Sequence, residues 1–103
     1  MISKALNNRL QKLQNYDFQN RKGNYPKSDI PDSISVHIYS ERTVIEFLFK
    51  NTSEDTASNF AKRFMAKNSD VIKLPKKLKV DFNTYQDGDY QDDWVICNCV
   101  IKD

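Results

Sequence analysis

The residues able to do chemistry in this chain are few and scattered. His37 is the single histidine, and so the one side chain whose unperturbed charge changes near neutral pH. Ser35 and Tyr39 share its side of an alternating stretch, and no carboxylate or nucleophile stands at a spacing that would complete a dyad. The expectation is a half-exposed strand residue. Cys97 and Cys99 would put both sulfurs on one side of a strand, as a two-ligand metal clip does. A structural zinc site takes four ligands, however, and only His37 could add another nitrogen or sulfur donor. A redox pair would have two intervening residues and a helix start, and neither holds. Buried small apolar side chains are the expectation.

Carboxylates are more abundant but no better organised. Asp87, Asp89, Asp92 and Asp93 cluster in one turn. A calcium loop opening at Asp87 would need a bidentate Glu at its twelfth position, where Asn98 stands. Gly23 and Gly88 are isolated, so no glycine-rich loop cradles a phosphate. Nothing singles out a pair of acids in apolar surroundings that would push one pKa upward. The expectation is a domain that binds a macromolecule rather than an enzyme, with no cofactor and no metal.

The elements that must position these residues are legible from hydrophobic spacing. Ile2, Leu6, Leu10 and Leu13 recur at helical intervals behind Ser3, which predicts a capped amphipathic helix closing near Tyr16 or Asp17. Residues 18–31 lose periodicity and read as a loop, and Pro31 holds the residue before it extended. Ile34, Val36 and Ile38 alternate with Ser35, His37 and Tyr39, and a turn at Ser40-Glu41-Arg42 leads to a second strand from Thr43 to Lys50. Thr52, three residues before Asp55, predicts a capping box. Ala57, Phe60, Ala61, Phe64, Met65 and Asn68 then form one helical stripe. Val71–Leu74 is a short apolar run stopped by Pro75. Strands from about Leu78 to Tyr85 and from Trp94 to Ile101 complete the order αββαββ.

This order predicts an α+β fold, a four-stranded antiparallel sheet with two helices on one face. It is also the order of a ferredoxin-like chain with its first strand moved to the end. The last strand has Val95, Cys97, Cys99 and Ile101 on one side and Trp94, Ile96, Asn98 and Val100 on the other. Two largely apolar sides predict a central or doubly covered strand. If neither holds, the Trp94 side becomes a contact surface.

At 103 residues the chain suits one domain, residues 1–103, with one core. Two Gly and three Pro leave little room for flexible linkers. Met1-Ile2-Ser3-Lys4 opens no apolar run of the signal-peptide kind, and the longest apolar stretches are too short to span a bilayer. A cytoplasmic protein without membrane association is expected.

The net charge of +2 hides strong segregation. Residues 1–28 and 56–79 carry net charges of +5 and +6, whereas 29–55 and 80–103 carry −4 and −5. Two candidate surfaces follow. Lys73, Lys76, Lys77 and Lys79, with Arg21 and Lys22, form a basic block suited to a phosphate backbone, although aromatic interleaving is absent. Tyr85, Asp87, Asp89, Tyr90, Asp92, Asp93 and Trp94 combine acids with aromatic anchors, as protein interfaces do. The second is the stronger candidate for partner binding.

Size, the αββαββ order, abundant Asn, Lys and Asp, and the segment from Tyr85 to Trp94 together give a chain that resembles the small immunity proteins of bacterial contact-dependent growth inhibition. That resemblance implies a cytosolic inhibitor that binds one cognate protein toxin, often a nuclease. It carries over no functional residue. The alternatives are a nucleic-acid-binding or RNA-metabolism regulatory module acting through the lysine block, and a phage-encoded inhibitor of a host enzyme.

Overall fold

Ser3 opens the first helix: its Oγ accepts the Leu6 N–H at 3.1 Å, and α1 runs Lys4–Gln11. The structure, a computed structural model, describes residues 2–18, 29–88 and 93–103. The predicted helix was longer. After Gln11 the chain tightens into a 3-10 turn, Lys12–Asn15, and Tyr16 takes extended backbone. The tighter winding keeps Leu13 buried and carries Gln14 to the sheet, where its Oε1 accepts the Val36 N–H at 2.8 Å.

Strand β1, Ser33–Ile38, and strand β2, Arg42–Lys50, form the predicted hairpin. Arg42 belongs to the strand rather than the turn, since its carbonyl accepts the Tyr39 N–H at 2.8 Å. Helix α2 spans Glu54–Lys67. Its cap is Ser53, one residue later than predicted: Ser53 Oγ accepts the Thr56 N–H at 3.1 Å. Thr52 is diverted, because its hydroxyl donates to the Lys50 carbonyl at 3.3 Å beside Asn51, which has φ 57°. Glu54 and Asp55 in the first turn complement the positive end of the helix dipole.

The apolar run at Val71–Leu74 opens inside a helical turn. Asn68 closes α2, donating from Nδ2 to the Phe64 carbonyl at 2.9 Å, and its own carbonyl accepts the Val71 and Ile72 N–H groups. The resulting turn, α3, covers Ser69–Ile72 and buries only Ile72. Lys73 ends it in left-handed backbone, φ 54° and ψ 58°. Strands β3, Lys79–Gly88, and β4, Asp93–Lys102, follow.

The four strands are antiparallel in the order β1-β2-β4-β3, so β4 is central, as its two apolar sides implied. Both main helices lie on one side of the sheet. Leu6, Leu10 and Leu13 join Phe60, Phe64 and Ile72 against Ile45, Phe47, Phe49, Val95, Cys97, Cys99 and Ile101. Phe60 and Phe64 stack with centroids 5.9 Å apart, and Phe47 meets Phe64 edge-on at 5.6 Å. Each such buried ring contributes about 1.5–3 kcal/mol by leaving water. Among the described residues no helix is long and apolar enough to cross a membrane.

Candidate binding face

The side of the sheet away from the helices is composed by register alone. Residues directly opposite across an antiparallel pair share a side. Counting from the buried set Val95, Cys97, Cys99 and Ile101, the open side of β4 carries Trp94, Ile96, Asn98, Val100 and Lys102. Their partners are Lys50, Leu48, Glu46, Val44 and Arg42 on β2, and Asp87, Tyr85, Asn83, Asp81 and Lys79 on β3. The last strand is therefore central but, among the described residues, covered on one side only.

An apolar strip crosses this face. Val44 sits beside Val100, and Leu48 beside Ile96, which in turn faces Tyr85. Ile96 is only 8% exposed although no helix covers it, because its neighbours on both strands close around it. Tyr85 is 40% exposed. A polar row, Glu46–Asn98–Asn83, cuts the strip in the middle. Asn98 Oδ1 is inaccessible to solvent and has no hydrogen-bond donor among the described residues.

The two ends of the face differ in charge. At one end the register aligns Arg42, Lys102 and Lys79, and the Arg42 guanidinium lies 5.2 Å from the Tyr39 ring centroid. Lys102 also reaches Asp81 at 3.7 Å, an exposed pair of small energetic weight. A cleft of about 520 Å³ beside this end is lined by Ser40, Glu41, Arg42, Lys102 and Asp103. At the other end Trp94 lies between Lys50 and Asp87, with the Lys50 ammonium 5.6 Å from the indole centroid.

The acidic-aromatic segment divides between the two sides. Tyr85, Asp87 and Trp94 share the open face, whereas Asp93 pairs with Gly88 on the opposite side. Asp89, Tyr90 and Asp92, like Arg21 and Lys22 of the basic block, lie outside the described residues. Lys79 stands on the same open face as Asp87, eight residues away, roughly 27 Å at about 3.4 Å per residue. Lys73, Lys76 and Lys77 are exposed in the connection between α3 and β3. Of the acidic and basic candidates, Asp87 and Lys79 therefore share the open face, at its opposite ends.

His37 also occupies the open side, with Nε2 3.8 Å from Glu46 Oε1. Cross-strand pairing supplies this carboxylate, which linear spacing concealed. Cys97 and Cys99 are fully buried as reduced thiols on the helix side. Burial pushes the Cys99 thiol up to about 12, with the neighbouring Cys97 adding to the rise. Burial also raises Cys97, against the opposing influence of Thr84, whose hydroxyl donates to Sγ at 3.2 Å. Among the described residues no three His, Cys, Asp or Glu side chains converge on a common point.

Comparison with protein-family models, with curated proteins and with solved structures finds no match for this chain.

Proposed function

We propose that this chain is a stoichiometric protein-binding inhibitor, an immunity protein for a bacterial toxin of nuclease type, and that it holds its partner on the open sheet face. The apolar strip of Val44, Leu48, Ile96 and Val100, running into Tyr85 and Trp94 with Asp87 at its edge, carries this reading. An apolar centre with aromatic anchors and a polar rim is how protein interfaces are composed. Residues on paired strands are already ordered, so binding through them loses little conformational entropy. Asp87 at the edge of the strip, with Asp93 on the other side of the same hairpin end, would favour encounter with the basic groove of a nucleic-acid enzyme. A phage-encoded inhibitor of a host enzyme would use the same contacts on a different target.

The test is co-expression in a bacterial host with the product of the adjacent reading frame, followed by purification of the pair. Growth rescue and a one-to-one complex with the wild type, both lost with Leu48→Lys, support the proposal. Equal protection by Leu48→Lys, or no complex with any neighbouring product, overturns it.

One observation favours a second reading, in nucleic-acid binding. The register adds Arg42 and Lys102 to Lys79 in a basic row near the exposed Lys76 and Lys77. This reading predicts retention of single-stranded RNA that weakens steeply with salt. Absence of retention at low salt excludes it.

A further inference from the structure

The two edges of the sheet are finished differently. Tyr39 donates its N–H to Arg42 and Val36 donates outward to Gln14, which fixes the hydrogen-bonding phase of the β1–β2 ladder. Carried through the continuous registers, that phase turns the N–H and C=O groups of Val80, Phe82, Thr84, Gln86 and Gly88 to the outer edge of β3. On β1 the corresponding edge meets the 3-10 turn and the Gln14 amide. Among the described residues no hydrogen bond reaches the outer edge of β3, a strand of ten residues with no proline. Such an edge is a template for another strand.

We propose that the strand it receives is β3 of a second copy, antiparallel about a two-fold axis at Asn83, so that two four-stranded sheets become one of eight strands. Hydrogen bonding admits only registers that set outward residues opposite outward residues, and these differ by steps of two. With the axis at Asn83, Lys79 of each copy faces Asp87 of the other, and Asp81 faces Tyr85. The helix side then pairs Val80 with Gln86 and Phe82 with Thr84, all uncharged. An axis at Thr84 would instead set Asp81 against Asp87, like charges directly opposite. An axis at Phe82 would shorten the overlap and carry Asp87 beyond the end of the facing strand. Charges on an edge strand usually discourage pairing. Here one register sets Lys79 against Asp87 and leaves Asp81 opposite the uncharged Tyr85. The match extends beyond β3, because the row Arg42, Lys102, Lys79 of one copy continues into Asp87, Trp94, Lys50 of the other.

Sedimentation velocity of the full chain over a concentration series tests this, with circular dichroism to check that each variant folds. The wild type is expected to form a dimer. Asp87→Lys should weaken it by about tenfold, since two symmetry-related pairs change from attraction to repulsion. Combining Asp87→Lys with Lys79→Asp should restore it. Gln86→Pro should abolish it, because it removes an outward N–H without touching the bonds to β4. A wild type that stays monomeric, or a dimer indifferent to Gln86→Pro and to the charge exchange, overturns the proposal. Leu48→Lys, away from this edge, should leave the dimer intact, which separates this result from the fate of the partner-binding proposal.

Discussion

Thr43 Oγ1 donates a 2.6 Å hydrogen bond to Asn7 Oδ1, joining the first helix to the second strand across 36 residues of sequence. Thr43 is completely buried, so its hydroxyl has exchanged water for this one acceptor. Thr43→Val keeps the shape and removes the donor. It should lower stability by about 1 kcal/mol, and Asn7→Ala should add little on top of it, because both remove the same bond. Urea denaturation of the two single variants and the double variant measures this directly. Additive losses would contradict it.

Lys73 takes left-handed backbone at the end of α3, a conformation that crowds Cβ against the following carbonyl. Lys73→Gly relieves that crowding at a position where glycine commonly ends helices. A gain of about 1 kcal/mol in unfolding free energy is expected. The Arg9 guanidinium donates to the Ile72 carbonyl at 2.8 Å and should continue to do so in the variant. Thermal melting of the two proteins provides the comparison.

The buried thiols give a pH dependence of definite sign. Cys99 ionises near 9.0 in an unfolded chain and is pushed up to about 12 in the fold. Above pH 9 the unfolded state therefore binds fewer protons than the folded one, and stability falls as pH rises toward 12. Cys97 contributes in the same direction. Denaturation at pH 8 and pH 10 should show a smaller loss for Cys99→Val than for the wild type. A thiol reagent at pH 8 should modify the native protein only at the rate of unfolding. Rapid modification of both sulfurs would refute their assigned burial.

On the open face, Asn98 holds a buried oxygen without a donor among the described residues. An unsatisfied acceptor costs about 1–3 kcal/mol, so Asn98→Leu should raise the urea midpoint of the isolated protein. The same substitution would remove the polar break in the apolar strip. Under the proposed function, it should shift partner affinity while leaving the fold intact. A lower midpoint would show that the amide makes a net stabilising contribution.

The fold was largely legible because the hydrophobic periods are clean. Ile45, Phe47 and Phe49 announce a strand, and Ala57, Phe60, Ala61 and Phe64 a helix, without help from tertiary structure. Local competition among polar side chains was harder to read: Thr52 and Ser53 are both good caps, and the left-handed Asn51 decides between them. The 3-10 turn was hidden for a similar reason, since Leu13 fits either winding. The candidate face was visible in part. Val44, Leu48, Trp94, Ile96 and Val100 are the apolar residues left over when each strand gives its other side to the core. Their union into one strip depends on strand order, as does the meeting of His37 with Glu46 and of Lys79 with Lys102. Linear spacing contains no information about which strands become neighbours.

Gln14 occupies a single N–H on β1, yet it bears on how far assembly can run. A sheet with two free edges can add copies at both ends and grow into a fibre, whereas a two-fold contact through one edge consumes that edge in both partners. After β3 meets β3, the rims of the enlarged sheet are the two β1 strands, each carrying its glutamine. Each rim then offers an incoming strand one N–H fewer, which favours the closed pair over an open-ended filament.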